Sequence, residues 1–260
     1  MIDVQNQRDE RGITIQQTGV NNVCLPFLIA GNEKVQNVLA TIKFTVSLSK
    51  NLRGTHMSRL MEILNEWTNK PLSLNKVASI LHEAEEKLST NAANIHIKFK
   101  YFVERTAPVS KLKSFLDLDC LYGGELINGK IKFILSVKIP FTTLCPCSKT
   151  ISNFGAHNQR SFCTVNMTFS EDPIINIDEV AKLIESQASS QVYSVLKRED
   201  EKFVTEAAYD NPKFVEDILR DVVIAVRSID NIEWFSVECE NFESIHNHNA
   251  FARHEEFIKL

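Results

Sequence analysis

Alternation of apolar and polar residues with a period of two marks several strands. Ala40, Ile42, Phe44, Val46 and Leu48 alternate with Thr41, Lys43, Thr45, Ser47 and Ser49, as expected for a strand buried on one face. Ile95, Ile97, Phe99 and Tyr101 repeat the pattern, as does Phe115 to Leu121 around Asp117 and Asp119. Cys163, Val165, Met167 and Phe169 form the apolar set of a strand over 162–169. Further strands are expected at 130–139, stopped by Pro140, and at 234–239. Val20 to Ala30 contains Pro26 and reads as an edge strand, because proline has no N–H for an inner ladder. Residues 1–19 read as a polar tail or edge arm. The stretch YGGELINGK (122–130) reads as a turn.

A period of 3.6 marks the helices. Met57, Leu60, Met61 and Leu64 give one. Leu74, Val77, Ala78, Leu81, Ala84 and Leu88 give a second, with Ser73 as its N-cap. Val180, Leu183, Ile184, Val192 and Val195 give a third, capped by Asp178. Phe214, Val215, Ile218, Leu219, Val222, Val223 and Val226 give a fourth, after the polar segment KREDEKFVTEAAYDNP.

The order is strands, two helices, strands, and then the same again. This predicts an α+β fold of antiparallel sheets with paired helices on one face; a parallel α/β fold would alternate strand and helix singly. The repeat of element order divides the chain into an N-terminal module, 1–115, and a C-terminal module, 116–260. The division falls in a strand-rich stretch, so no linker is expected there. Open sheet edges need covering, and edge-to-edge oligomerisation is one solution.

Composition adds limits. Apolar residues make up 43% and charged residues 24% of 260, which is ordinary for a globular protein. A net charge of −4 argues against a general nucleic-acid binder, which needs a basic face. No run of 18 apolar residues exists, so no membrane span is expected. The polar N-terminus lacks the apolar core of a secretory signal, which leaves the cytoplasm as the expected compartment and its six cysteines as reduced thiols. Cys24, Cys120, Cys163 and Cys239 lie in apolar contexts and are expected to be small buried hydrophobes. Cys145 and Cys147 do not.

Those two lie in LCPCSKTISNFGAHNQRS (144–161), which has neither periodicity and sits between two strands. His157 follows Cys145 by twelve residues. Thiolate and imidazole are favoured ligands of zinc and related metals; the plain alternative is a surface loop with incidental thiols. A catalytic metal needs only three protein ligands and an open position, whereas a structural site usually takes four. No second cysteine pair completes such a set. The acidic run Glu199-Asp200-Glu201 could offer a carboxylate, or be a solvated cluster. Glu243, His246 and His248 follow the last strand. Residues two apart share a face in extended chain, and imidazoles suit proton transfer or phosphate contact near neutral pH. Glu216 lies at the margin of an apolar helix face, where it is either a solvated glutamate or an acceptor for a base edge.

The runs LCPCSKTISNFGAHNQRS, LKREDEKFVTEAAYDNPKFVEDILRDV and NFESIHNHNAFA together resemble the type IB GTP cyclohydrolases. The resemblance implies tandem tunnelling-fold modules assembled as a homotetramer, with active sites at subunit interfaces. It implies a divalent metal, Zn2+, Mn2+ or Fe2+, held by Cys145, His157 and Glu201. Glu199 stands where the family has proline in Lys-Arg-Pro-Asp-Glu, and is the alternative acid. The implied reaction hydrolyses GTP to 7,8-dihydroneopterin triphosphate and formate, the first step of tetrahydrofolate biosynthesis. Cys145, Cys147, His246, His248 and Glu243 would be the catalytic groups, Glu216 the guanine acceptor, and Lys149 and Arg160 the cations for the triphosphate. Two other readings fit the same residues. One is a tunnelling-fold nitrile reductase of queuosine biosynthesis, which uses an active cysteine and NADPH. The other is a non-catalytic module stabilised by zinc, in which chelation would unfold the chain.

Overall fold

The computed structural model describes residues 4, 5, 7–32 and 34–258. Of the expected N-terminal tail, residues 1–3 and 6 lie outside that set. The described residues form eight strands and six α-helices. In chain order these are β1 (Ile15–Ala30), β2 (Val35–Leu48), α1 (Met57–Trp67), α2 (Val77–Leu88), β3 (Ala92–Thr106), β4 (Lys113–Ile127) and β5 (Lys130–Leu144). Then come α3 (Pro146–Ile151), β6 (Asn158–Phe169), α4 (Ile177–Glu185), α5 (Arg198–Asp210), α6 (Val215–Val226), β7 (Ile232–Asn241) and β8 (Ala250–Phe257). The strands are hydrogen-bonded in chain order, β1 to β8. The pairs β1–β2, β2–β3 and β7–β8 are antiparallel.

By mutual contact the described residues fall into two compact units. One comprises the residues up to Lys100 with Cys120–Leu135 and Thr168–Pro173; the other comprises Tyr101–Asp119, Ser136–Met167 and the residues from Ile174 on. Position 115/116 falls inside β4.

In the first unit, β1 runs from Ile15, so the arm expected over 1–19 is partly edge strand. Pro26 lies opposite Leu39 on that edge. Leu60, Ile63 and Leu64 of α1 and Val77, Ile80 and Leu81 of α2 are all at 0% exposure, whereas Met57, expected on the α1 stripe, is exposed in its first turn. Ser73 does not cap α2 with its side chain; a single 3-10 turn, Leu74–Lys76, intervenes. The stretch 122–130 is not a turn as a whole. β4 continues through both glycines to Ile127, and only Asn128 (φ 51°) and Gly129 (φ 77°) turn the chain, the left-handed pair a tight hairpin requires. The glycines have a packing role instead. A Cβ on Gly124 would stand 2.8 Å from Val77 Cγ1 and 2.9 Å from Leu81 Cδ1, so glycine lets α2 lie directly on the strand. Both methyls belong to fully buried side chains. Gly124→Ala should therefore lower stability by about 1–3 kcal/mol, the usual cost of overpacking, read as a lower urea midpoint with an unchanged slope.

In the second unit, β5 does not stop at Pro140. It runs to Leu144, because Phe141, Thr143 and Leu144 go on being buried. Cys163, Val165 and Met167 of β6 are all at 0% exposure, as is Phe169 where the strand passes into the first unit, as their alternation predicts. The N-cap of α4 is Asn176, in a reciprocal capping box with Glu179; Asp178 is inside the helix and accepts from the Tyr101 hydroxyl at 2.8 Å. α4 ends at Glu185, so Val192 and Val195 are not on it. The chain beyond pairs with β5 instead: Thr142 N–H donates to Ser190 O at 2.9 Å and Ser190 N–H returns to Thr142 O at 3.2 Å. Glu185 itself accepts from Arg105 Nε at 3.0 Å, both residues buried. Burial raises the Glu185 pKa against the pull of Arg105.

The polar segment before α6 is helical. α5 buries only Asp200 and Ala208, so no apolar period could reveal it. Asp200 is at 0% exposure and holds the helix start. It accepts from Lys197 N–H at 2.9 Å, from Val109 N–H at 2.8 Å, and from the N–H and hydroxyl of Ser110. Burial acts to raise its pKa, but the bonds from Ser110, Lys197 and Val109 outweigh this and hold it well below the usual carboxylate range. A depressed folded pKa stabilises the fold above the unfolded pKa, about 4, and that stabilisation is lost as pH falls toward the folded value. Asp200→Asn should therefore destabilise the chain near neutral pH, and the gap from wild type should shrink below about pH 4. A gap of constant size in denaturation midpoints across that range would contradict this.

Candidate active site around Cys145 and His157

The expected irregular loop is a built turn. Leu144 ends β5, with its N–H on Ser189 Oγ (3.3 Å) and its carbonyl taking the Lys213 N–H (3.0 Å). Cys145 follows as N-cap of α3, with Pro146 in the first helical position, where its missing N–H costs nothing. Cys145 Sγ accepts from Ser148 N–H at 3.5 Å, and the Ser148 hydroxyl donates to Cys145 O at 3.1 Å. The return strand closes the turn: Cys145 N–H donates to His157 O at 3.1 Å, and His157 N–H to Ser148 Oγ at 3.2 Å. Cys145 and His157 are thus joined by one backbone bond and bridged through the Ser148 hydroxyl, and both are half-buried.

The His157 ring is held by its Nδ1, which lies 3.0 Å from Gln159 Oε1 and 3.7 Å from a Glu243 carboxylate oxygen. Glu243 reaches it because Phe242 N–H donates to Arg160 O at 3.0 Å, tying the segment after β7 to β6. Phe242 also packs edge-on against Phe162, with centroids 5.6 Å apart. The structure therefore brings together Cys145, His157 and Glu243. Cys147 is exposed on α3. His246 and His248 are exposed, and their rings stack with centroids 5.2 Å apart. Arg160 is exposed. Glu216 is exposed in the first turn of α6. Lys149 is engaged: its ammonium lies 4.2 Å over the Tyr209 ring and donates to the Tyr209 carbonyl, linking α3 to the end of α5.

Glu199 and Glu201 are exposed in the first turn of α5, where Asp200 is the buried acid. Among the described residues, no three His, Cys, Asp or Glu side chains are gathered closely enough to hold a metal, so Glu201 is not assembled with Cys145 and His157 within the chain. The thiol of Cys145 and the imidazole of His157, on residues joined by a backbone bond, are donor types that a thiophilic divalent cation takes. His157 Nδ1 faces Gln159 Oε1 and the Glu243 carboxylate, and a metal-ligating histidine commonly has its other ring nitrogen engaged in this way.

Gln159, Thr143 and Ser161 were not among the expected site residues. Gln159 and Ser161 lie in phase with Cys163 and Val165, on the face whose other members are apolar. A polar residue in register with a buried set was the available signal.

The fold is one found among solved uricases. The chain superimposes on the uricase from Arthrobacter globiformis with TM-score 0.55 and 6% identity over 94% of both chains. On the urate oxidase from Bacillus subtilis 168 the values are 0.52 and 7%, over 93% of this chain and 98% of that one. At such identity the likeness concerns the fold alone. The family is set by sequence. The profile of the type I GTP cyclohydrolase folE2 family matches residues 1–252. GTP cyclohydrolase FolE2 of Citrifermentans bemidjiense is 48% identical, over 96% of this chain and 92% of its own. That of Syntrophus aciditrophicus is 46% identical, over 97% and 98%. The chain belongs to the type I GTP cyclohydrolase FolE2 family.

Proposed function

We propose that this chain hydrolyses GTP to 7,8-dihydroneopterin triphosphate and formate, the first step of tetrahydrofolate biosynthesis, as a type IB enzyme in the cytoplasm. The observation that carries the reading is Cys145 joined to His157, with Glu243 behind it, in a chain of this family. Cys145 and His157 Nε2, with Glu201 as third ligand, would hold Zn2+, Mn2+ or Fe2+. Such a cation, when bound, supplies the positive charge that makes water acidic near neutral pH.

The chain's own groups bind, orient and move protons. Glu216 accepts from the guanine edge. Arg160 is the exposed cation for the triphosphate; Lys149 would have to leave the Tyr209 carbonyl to join it. Ring opening, formate release and ribose rearrangement each need proton transfers. The stacked pair His246 and His248 and the exposed Cys147 thiol suit these, since all three are accessible in the chain. The repeated element order supports tandem tunnelling-fold modules, 1–115 and 116–260. The exposure of Glu201, Glu216, His246 and His248 supports sites completed by a neighbouring subunit in a homotetramer. The test is to incubate the pure protein with GTP and Mn2+ or Zn2+, then measure formate and the pterin fluorescence that appears after oxidation. Release of guanine or GDP without formate would point to another reaction.

A further inference from the structure

The polar groups behind His157 form a buried chain. His157 Nδ1 meets Gln159 Oε1 at 3.0 Å, Gln159 Nε2 meets Thr143 Oγ1 at 2.8 Å, and Thr143 Oγ1 meets Ser161 Oγ at 2.9 Å. Gln159 is 6% exposed, and Thr143 and Ser161 are 0% exposed. Buried polar groups are as a rule hydrogen-bonded, and here each finds its partner in its neighbour. Hydroxyl and amide can each donate or accept, so the chain could run in either direction. In one, Nδ1–H donates to Gln159, whose NH2 donates to Thr143, whose hydroxyl donates to Ser161. In the other, the Gln159 amide is flipped so that its NH2 donates to Nδ1 and its oxygen accepts from Thr143, the hydroxyls turn to match, and the imidazole carries its proton on Nε2. Glu243 breaks the tie. Its carboxylate, 3.7 Å from Nδ1, is acceptor-only when ionised, so it attracts a proton on Nδ1 and repels a lone pair there.

We propose that Gln159, fixed by Thr143 and Ser161, is a positioning residue that locks His157 in the Nδ1–H tautomer and so keeps Nε2 available as a ligand. This rests on the reading of His157 as a metal ligand. Gln159→Leu keeps the bulk and removes the acceptor, and should weaken Mn2+ or Zn2+ binding about tenfold to a hundredfold, the usual effect of removing a ligand's own support. Gln159→Glu restores an acceptor for Nδ1–H and should recover most of the affinity. Thr143→Val frees the amide to rotate and should cost less than Gln159→Leu.

The experiment titrates metal into metal-free wild type, Gln159→Leu, Gln159→Glu, Thr143→Val and His157→Ala by competition with a chromophoric chelator. It also records the side-chain nitrogen NMR shifts of His157 in the metal-free wild type, assigned by its loss in His157→Ala. A protonated Nδ1 with loss of affinity in Gln159→Leu and its recovery in Gln159→Glu supports the proposal. A protonated Nε2 in the wild type overturns it even if every variant fails to fold. Unchanged affinity in Gln159→Leu with affinity lost in His157→Ala overturns the role of Gln159 alone. Unchanged affinity in His157→Ala overturns the ligand assignment and the proposal together.

Discussion

Cys145→Ala and His157→Ala should each lower GTP turnover by roughly a thousandfold or more, since groups that act as a unit lose most of their effect when one is removed. Bound metal should fall with it. The fold should survive, because the turn is held by backbone and serine bonds that neither side chain makes: Cys145 N–H to His157 O, Ser148 Oγ to Cys145 O, and His157 N–H to Ser148 Oγ. Circular dichroism and the thermal midpoint should stay near wild type while metal content, measured by mass spectrometry, drops. Full turnover in a metal-free preparation would refute the role given to the pair. Unfolding on chelation would instead favour a metal that serves stability.

Glu216→Gln should impair GTP use severely and narrow the preference for GTP over ITP. Guanine presents N1–H and an exocyclic amine side by side, and a carboxylate accepts both in a charge-assisted pair. Hypoxanthine keeps N1–H and lacks the amine. Adenine has no proton on N1. A buried carboxylate left half-paired costs roughly 1–3 kcal/mol, so wild type should prefer GTP to ITP by about tenfold or more and reject ATP. The glutamine offers one acceptor, and its NH2 opposes a guanine donor. Glu216 is exposed in the single chain. Discrimination of that size therefore requires a neighbouring subunit to close over it, and it should weaken if the assembly is dissociated. The substitution sits in a solvated first turn of α6, so stability and metal content should hold. An unchanged GTP-to-ITP ratio would make Glu216 an ordinary surface residue.

The sequence shows those elements whose side chains are sorted by burial. β2, β3 and β6 alternate cleanly, and α1, α2 and α6 each bury an apolar stripe, although Met57 and Phe214 at the starts of two of them are exposed and Phe214 precedes α6 as its N-cap. It hides elements held by other means. α5 is made by backbone bonds to one buried aspartate, so its polar surface reads as loop. β8 buries no residue fully, with Phe251, Arg253, Glu255 and Phe257 all exposed, so it reads as tail. The Gly123-Gly124 pair reads as a turn because a close approach by α2 leaves no trace in β4's own residues. At the site, Cys145 and His157 stand out by residue type. Gln159 does not, because its meaning comes from Thr143 on another strand.

The thiols differ in shelter, and this decides where oxidants act. Cys120, Cys163 and Cys239 are buried, contrary to Cys24, which is exposed on the edge strand instead of inside as its apolar neighbours suggest. Burial, with Cys239 alongside, pushes the Cys163 thiol well above its ordinary pKa. A thiol kept protonated and dry does not react with peroxide, since the thiolate is the reactive form. Oxidative wear therefore falls first on the exposed Cys24 and Cys147. Sulfenic acid at Cys24 alters a surface strand, whereas at Cys147 it strikes the candidate catalytic turn. A preparation aged in air would lose turnover while its fold stayed intact, and a thiol reductant would restore it until the sulfur passed to the sulfinic state.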